Sequence, residues 1–265
     1  MWQVQAIPAF TDNYLWLLKN DYGHNAAIVD PGDATPVIAT LQKNALELSA
    51  ILITHHHADH IGGIAELIKH YPEARVYAPK DSRIPMVDYV VDEGFSFTLS
   101  FLPASFEVIE VPGHTATHIA FYSEAVGSVA PRLFCGDTVF ACGCGRLFEG
   151  SASQMHSSLS KIKALPPDTE IYCAHEYTLD NIQFAKWVEP DNVDLLAREK
   201  EAKALRTAGK YTVPSQLAYE CKSNPFLRFD QPNVKAAAER HVGHALANEA
   251  EVFGVLRNWK DTEFD

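Results

Sequence analysis

The 265-residue sequence predicts an α/β domain followed by a smaller α-helical one. Three observations lead there. Over the first two-thirds, short apolar runs alternate with turn residues and a few helical patterns. The last ninety or so residues carry helical periodicity with almost no strand signal. Several of the early apolar runs end in a histidine or aspartate at a turn, as strands do at many active sites. The change of composition near residue 178 divides the chain into residues 1–177 and 178–265.

In order, strands are expected around Gln3 to Pro8, Asn13 to Leu18 and Asn25 to Val29, with Asp30-Pro31-Gly32-Asp33 as the following turn. A helix from about Thr35 to Asn44 leads to the apolar run Ile51-Leu52-Ile53. Ile61, Ile64, Ile68 and Tyr71 then fall at helical spacing, so a buried strand hands over to a helix near Gly62-Gly63. Further strands are expected at Arg75 to Ala78, Phe106 to Val111, His118 to Tyr122, Arg132 to Cys135 and Glu170 to Cys173. Beyond the boundary the pattern gives helices at Leu179 to Trp187, Asn192 to Ala208 ending at Gly209, Asn233 to Ala247 and Glu249 to Trp259. Pro214 and the Asn224-Pro225 step interrupt them.

Composition excludes several classes. With 47% hydrophobic and 21% charged residues there is no case for disorder, and no apolar run approaches the roughly 20 residues needed to span a bilayer. The net charge of -12 argues against general nucleic-acid binding. The start, Met1-Trp2-Gln3-Val4-Gln5-Ala6, lacks the pattern of an export signal, and five scattered cysteines form no disulfide framework, so a cytoplasmic location is expected. Cys142-Gly143-Cys144-Gly145 reads as small residues filling a tight loop rather than as a redox pair.

The chemistry concentrates in Thr54-His55-His56-His57-Ala58-Asp59-His60. In extended backbone alternate side chains share a face, so His55 and His57 can close on one ion while His56 points elsewhere. Asp59 and His60, being adjacent, diverge and can serve a second ion. The spacing is not that of an HExxH helix. Three more strands deliver donors in the same layout: His114 after Val108-Ile109-Glu110-Val111, Asp137 after Leu133-Phe134-Cys135, and His175 after Ile171-Tyr172-Cys173. The donors His55, His57, Asp59, His60, His114, Asp137 and His175 exceed what one ion holds and suit two ions sharing a carboxylate. With Asp137 as the bridge, His55, His57 and His114 serve one ion, and Asp59, His60 and His175 the other. Each keeps an open place for solvent, the mark of a catalytic rather than a structural site. Imidazole with carboxylate suits zinc, iron or manganese about equally; the expected cofactor is two divalent ions, zinc first.

Quoted together, Thr54 to His60, Pro112-Gly113-His114-Thr115, Cys135-Gly136-Asp137-Thr138 and Ala174-His175-Glu176-Tyr177 resemble the metallo-β-lactamase superfamily. The resemblance implies an αββα sandwich for residues 1–177. Gly143 to Gly150, His175-Glu176-Tyr177-Thr178 and the tail with Arg257 and Lys260-Asp261 narrow it to glyoxalase II, the hydroxyacylglutathione hydrolases. That family implies hydrolysis of S-D-lactoylglutathione to D-lactate and glutathione, the second step of methylglyoxal detoxification, by a monomer with no nucleic-acid or membrane partner. It also implies a glutathione-binding helical domain and substrate contacts from Arg146, Phe148, Tyr177, Arg257 and Lys260. Phe148 stands where some relatives have tyrosine, which removes a phenolic hydrogen bond. Asp59 and Asp137 carry the catalytic roles, Asp59 orienting the hydroxide and Asp137 bridging the two ions. The rival within the superfamily is a glutathione persulfide dioxygenase with a single iron.

Overall fold

The computed structural model describes residues 1–264. The chain forms two compact units: Met1–Glu110 with Thr117–Gly136, and Val111–Ala116 with the chain from Asp137 onward.

The first unit holds strands β1 (Trp2–Ala9), β2 (Asn13–Asn20), β3 (Asn25–Val29), β4 (Glu47–Leu52), β5 (Arg75–Ala78) and β6 (Tyr89–Val90), hydrogen-bonded in that order. The first three form an antiparallel meander and the last four run parallel. Helices α1 (Ala34–Lys43), α2 (Ala58–Ile61) and α3 (Ile64–His70) lie in the connections around β4. Val37 and Leu41 of α1 and Ile64 and Leu67 of α3 share one core with Leu15, Leu17, Ile28, Ile51 and Val76 from the sheet. The antiparallel run β7 (Ser96–Thr98), β8 (Ser105–Glu110), β9 (Ile119–Ser123) and β10 (Arg132–Gly136) approaches the first sheet from its other face. The Trp2 ring meets Phe106 edge-on at 5.9 Å, and Tyr77 stacks on Phe97 at 4.6 Å. Strand β3 and the end of β4 are thus covered on both sides, which is why residues 26–29 and 50–52 read as continuous apolar runs, whereas β5 alternates.

The second unit contains the hairpin β11 (Val139–Phe140) and β12 (Gly143–Cys144), helix α4 (Ala152–Lys163), the pair β13 (Glu170–Cys173) and β14 (Ser215–Gln216), and helices α5 (Thr178–Val188), α6 (Val193–Thr207), α7 (Leu217–Ser223), α8 (Pro232–Val242) and α9 (Glu249–Trp259). These units divide the chain differently from the sequence boundary at 177/178. Residues 137–177 fall with the C-terminal helices, because α4 packs against α9.

The expected strands are present within a residue or two, and three helical expectations change. The helix expected to reach Ala247 stops at Val242, where Gly243 takes the left-handed conformation (φ 78°) that ends helices. Helix α4 was not expected, although Ser151 and Gln154 form a reciprocal capping box at its start. Helix α7, which lies between the two proline breaks, was not expected either. Among the described residues, no helix is long and apolar enough to cross a membrane.

Candidate active site

In the first unit the heptad leaves the end of β4 and turns into α2. His57 is the residue before the helix, its backbone still extended (φ -60°, ψ 146°). His55 and His60 are buried. His55 Nε2 faces His57 Nδ1 at 3.1 Å, and His60 Nε2 faces an Asp59 oxygen at 3.4 Å. Asp59 and His60 therefore converge, where adjacency in sequence had suggested divergence. The first turn of α2 brings successive side chains round a common point. His56 points away, as expected, with its Nδ1 3.5 Å from Asp81.

One buried carboxylate sets the orientation of this group. Asp30, just past β3, accepts from the Thr54 amide at 2.8 Å and the Thr54 hydroxyl at 2.7 Å, and from His60 Nδ1 at 3.0 Å. Because the Thr54 hydroxyl proton is committed to Asp30, Thr54 Oγ1 accepts from His55 Nδ1 at 3.1 Å. Both imidazoles thus carry their proton on Nδ1 and present the Nε2 lone pair, the tautomer that metal-ligating histidines adopt. Asn13 donates at 3.0 Å to Asp59 Oδ2, the same oxygen that faces His60 Nε2. Gly136 is required here. It has φ 48°, and a Cβ on it would stand 2.3 Å from Thr54 Oγ1.

In the second unit Asp137 sits between two imidazoles. Its Oδ2 is 3.4 Å from His114 Nε2 and its Oδ1 3.3 Å from His175 Nε2. His114 donates from Nδ1 to the Arg146 carbonyl at 2.9 Å, which again leaves Nε2 as a lone-pair donor. Gly145 makes room for this, since a Cβ there would lie 2.0 Å from the Asp137 carbonyl oxygen. The donor set fits divalent ions. Two donors on one tetrahedral ion at about 2.1 Å stand roughly 3.4 Å apart. The four pairs described lie at 3.1, 3.4, 3.4 and 3.3 Å. Each pair comes from within one unit.

All five residues expected to touch substrate line one cavity of about 320 Å³ in the second unit, whose wall also includes His114 and Asp137. That is large enough for a small ligand. Tyr177 stacks on His175 at 4.7 Å, and the exposed Phe148 ring sits edge-on to His114 at 5.3 Å. Arg257 is 1% exposed, donating to the Cys144 carbonyl at 2.9 Å and to Asp261 at 2.9 Å. Lys260 is buried as well.

The hairpin that forms part of this wall is held from a distance. Buried Glu220 accepts from the Cys142 amide at 2.7 Å, and Asn224 donates to the carbonyls of Phe140 and Gly143 at 3.1 and 2.9 Å. Asn181 donates to the Ala141 carbonyl at 3.1 Å. Burial pushes the Glu220 carboxyl up from its ordinary value, and pushes the Cys173 thiol up to about 12. Burial likewise raises the Cys142 and Cys144 thiols, so neither is a thiolate near neutrality, in keeping with a filled loop. Of the residues the sequence left unassigned, Asp30 had a signal, because it follows a strand just as the other donors do. Glu220, Asn224 and Asn181 had none.

Imidazole and carboxylate donors at strand ends in an α/β fold define a class, the metal-binding hydrolases of the metallo-β-lactamase type. Residues 12–175 match the model of the Metallo-beta-lactamase superfamily, and residues 176–263 match the Hydroxyacylglutathione hydrolase C-terminus. A hydroxyacylglutathione hydrolase of Pseudomonas fluorescens (strain SBW25) is 48% identical over 262 residues, 98% of this chain and 99% of that protein. One from Alkalilimnicola ehrlichii is 50% identical over 261 residues, with the same coverage. Among solved structures, ETHE1 from Myxococcus xanthus shares the fold with a TM-score of 0.66 at 20% identity, covering 100% of this chain and 93% of its own. TTHA1623 in a di-iron-bound form gives a TM-score of 0.53 at 26% identity, covering 65% of this chain and 91% of its own. The chain belongs to the hydroxyacylglutathione hydrolase family, with a metallo-β-lactamase domain followed by a helical C-terminal domain.

Proposed function

We propose that this chain is a metal-dependent thioester hydrolase that converts S-D-lactoylglutathione and related S-2-hydroxyacylglutathiones to the free hydroxy acid and glutathione. The observation that carries the reading is Asp137, which presents one carboxylate oxygen to His114 and the other to His175 in the wall of a cavity that also bears Arg146, Arg257 and Lys260. The relatives named hydroxyacylglutathione hydrolase support the substrate class.

In this reading His55, His57 and His114 would hold one divalent ion, Asp59, His60 and His175 would hold a second, and Asp137 would serve both. Bound divalent ions supply a water of lowered pKa and a Lewis acid for the carbonyl oxygen. The chain supplies the rest. Asp30, Thr54 and the Arg146 carbonyl fix the proton on Nδ1 of three histidines, so their Nε2 atoms stay available. Asp59, held by Asn13, orients the attacking oxygen. Basic side chains of the cavity attract the carboxylates of the tripeptide, and the tail residues place them within residues 178–265, the proposed glutathione-binding domain. The departing thiol, with an ordinary pKa of about 8.5, leaves as thiolate without a strong acid beside it. Five cysteines outside any disulfide support a reducing, cytoplasmic setting, and the enzyme is proposed to act as a monomer.

The test is thiol release from lactoylglutathione against thioesters of unrelated thiols, alongside metal analysis of the active protein. Preference for the glutathione portion and two ions per chain are expected; indifference to glutathione or a single ion would overturn the reading. Asp137→Ala should remove nearly all turnover and empty at least one position. Oxygen uptake with glutathione persulfide would favour the single-iron dioxygenase instead.

A further inference from the structure

One acidic side chain of the cavity has no part in the proposed metal centre or in the basic cluster. Asp180 lies in the first turn of α5, on the cavity wall with Tyr177 and Asn181. It is exposed, and it makes no ion pair or side-chain hydrogen bond with any described residue. Asp261 shows the contrast. Its carboxylate is engaged by Arg257 through 2.9 and 3.3 Å contacts, and Arg146 Nε lies 3.8 Å away. The cavity therefore offers cations from α9 and the segment after β12, and an uncompensated carboxylate from α5.

A purely anionic ligand would gain from the first and lose from the second. A ligand with a cationic group as well as carboxylates gains from both. The glutathione portion is of that kind, since its γ-glutamyl residue carries a primary ammonium and the tripeptide has two carboxylates. An acid in a first helical turn also interacts with the helix N-terminus, worth roughly 0.3 to 1 kcal/mol. That accounts for an acid near the start of α5 but not for its place on the cavity wall.

Resting on the thioester reading above, we propose that Asp180 is the subsite for the primary ammonium of the substrate's γ-glutamyl group. The experiment compares the lactoyl thioester of glutathione with that of a des-amino analogue in which glutaryl replaces γ-glutamyl. For the unmodified protein, KM should be about fivefold lower with the ammonium present, the scale of a partly solvated ion pair. Asp180→Asn should raise KM about fivefold for the glutathione thioester and leave the des-amino KM unchanged, with kcat little altered for either. Asp180→Glu should keep the discrimination, and added salt should weaken it.

An equal KM shift for both substrates would assign Asp180 to the helix and overturn the proposal, as would no shift at all. The two readings fail separately. A protein that hydrolyses both thioesters with the same KM refutes the ammonium subsite alone, whereas one that hydrolyses neither refutes the thioester assignment. Since Asp180 is exposed, Asp180→Asn is expected to fold, and an unchanged Tm confirms that the comparison is between intact proteins.

Discussion

The donor group of the first unit and the cavity wall of the second are stabilised over very different distances along the chain. In the first unit, six consecutive positions from His55 to His60 supply four donors, and one carboxylate 24 to 30 residues away orients them. In the second unit, the Val139 to Cys144 hairpin is tied at Cys142 by Glu220, 78 residues on, and at Phe140 by Asn224, 84 residues on. Cys144 is held by Arg257, 113 residues on. The first arrangement needs only a strand end and a helical turn. The second needs the helices after residue 178 to be in place before the wall has a shape, so the proposed substrate recognition would depend on folding of the C-terminal part.

Arg257→Ala should break this comparison most visibly. Removing the guanidinium leaves the Cys144 carbonyl without its donor and Asp261 without its partner. Truncating one member of a buried pair typically costs about 3 to 5 kcal/mol. Urea unfolding should show that loss, together with a raised KM. A raised KM with an unmoved unfolding midpoint would leave Arg257 with only the substrate-contact role that the family resemblance implies.

Asp30→Asn tests the short-range arrangement. Asparagine tolerates the left-handed conformation of this residue (φ 49°), so the turn is expected to survive. One carboxylate oxygen becomes an NH₂ donor, facing groups that already donate. His60 and His55 then lose the acceptor chain that fixes their protons on Nδ1. Metal affinity should fall by about 10- to 100-fold, as for other changes to groups that orient metal ligands. Competition with a chelator measures it. Unchanged affinity would mean that strand geometry alone orients the donors.

The same difference in distance explains what the sequence revealed. Each of the seven donors follows an apolar strand or sits in the turn after it, so a single pattern exposes them. Asp30 obeys that pattern at the end of β3 but was absorbed into a Pro-Gly turn. The burial of Arg257 could not be read, because a helical spacing of three from Lys260 says that two side chains share a face and not what covers that face. Glu220 and Asn224 belong to residue types usually found on surfaces, and only the hairpin's backbone amides and carbonyls, far off in sequence, make their burial favourable. Helix α4 was obscured by its four serines, Ser153, Ser157, Ser158 and Ser160, which weaken its periodicity.

Glu199 on α6 gives the smallest effect and marks the limit of the contrast, since its charges are largely local. Its carboxylate is held down to about 2 by Lys203 at 2.7 Å and Lys186 at 3.0 Å. A carboxyl whose folded pKa lies below its unfolded value of 4.5 stabilises the fold above about pH 4.5, and that contribution disappears as pH falls through about 2. Lys203 is largely solvated, so screening should keep the contribution below about 1 kcal/mol. Glu199→Gln should therefore lower stability slightly at pH 7, and the gap to the parent should close progressively between pH 4.5 and 2 and in high salt. Chemical unfolding at several pH values measures it. A gap that persists at pH 2 would show that Glu199 acts through its hydrogen bond to Gln183 rather than its charge, and would make this helix pair resemble the buried supports of the cavity wall.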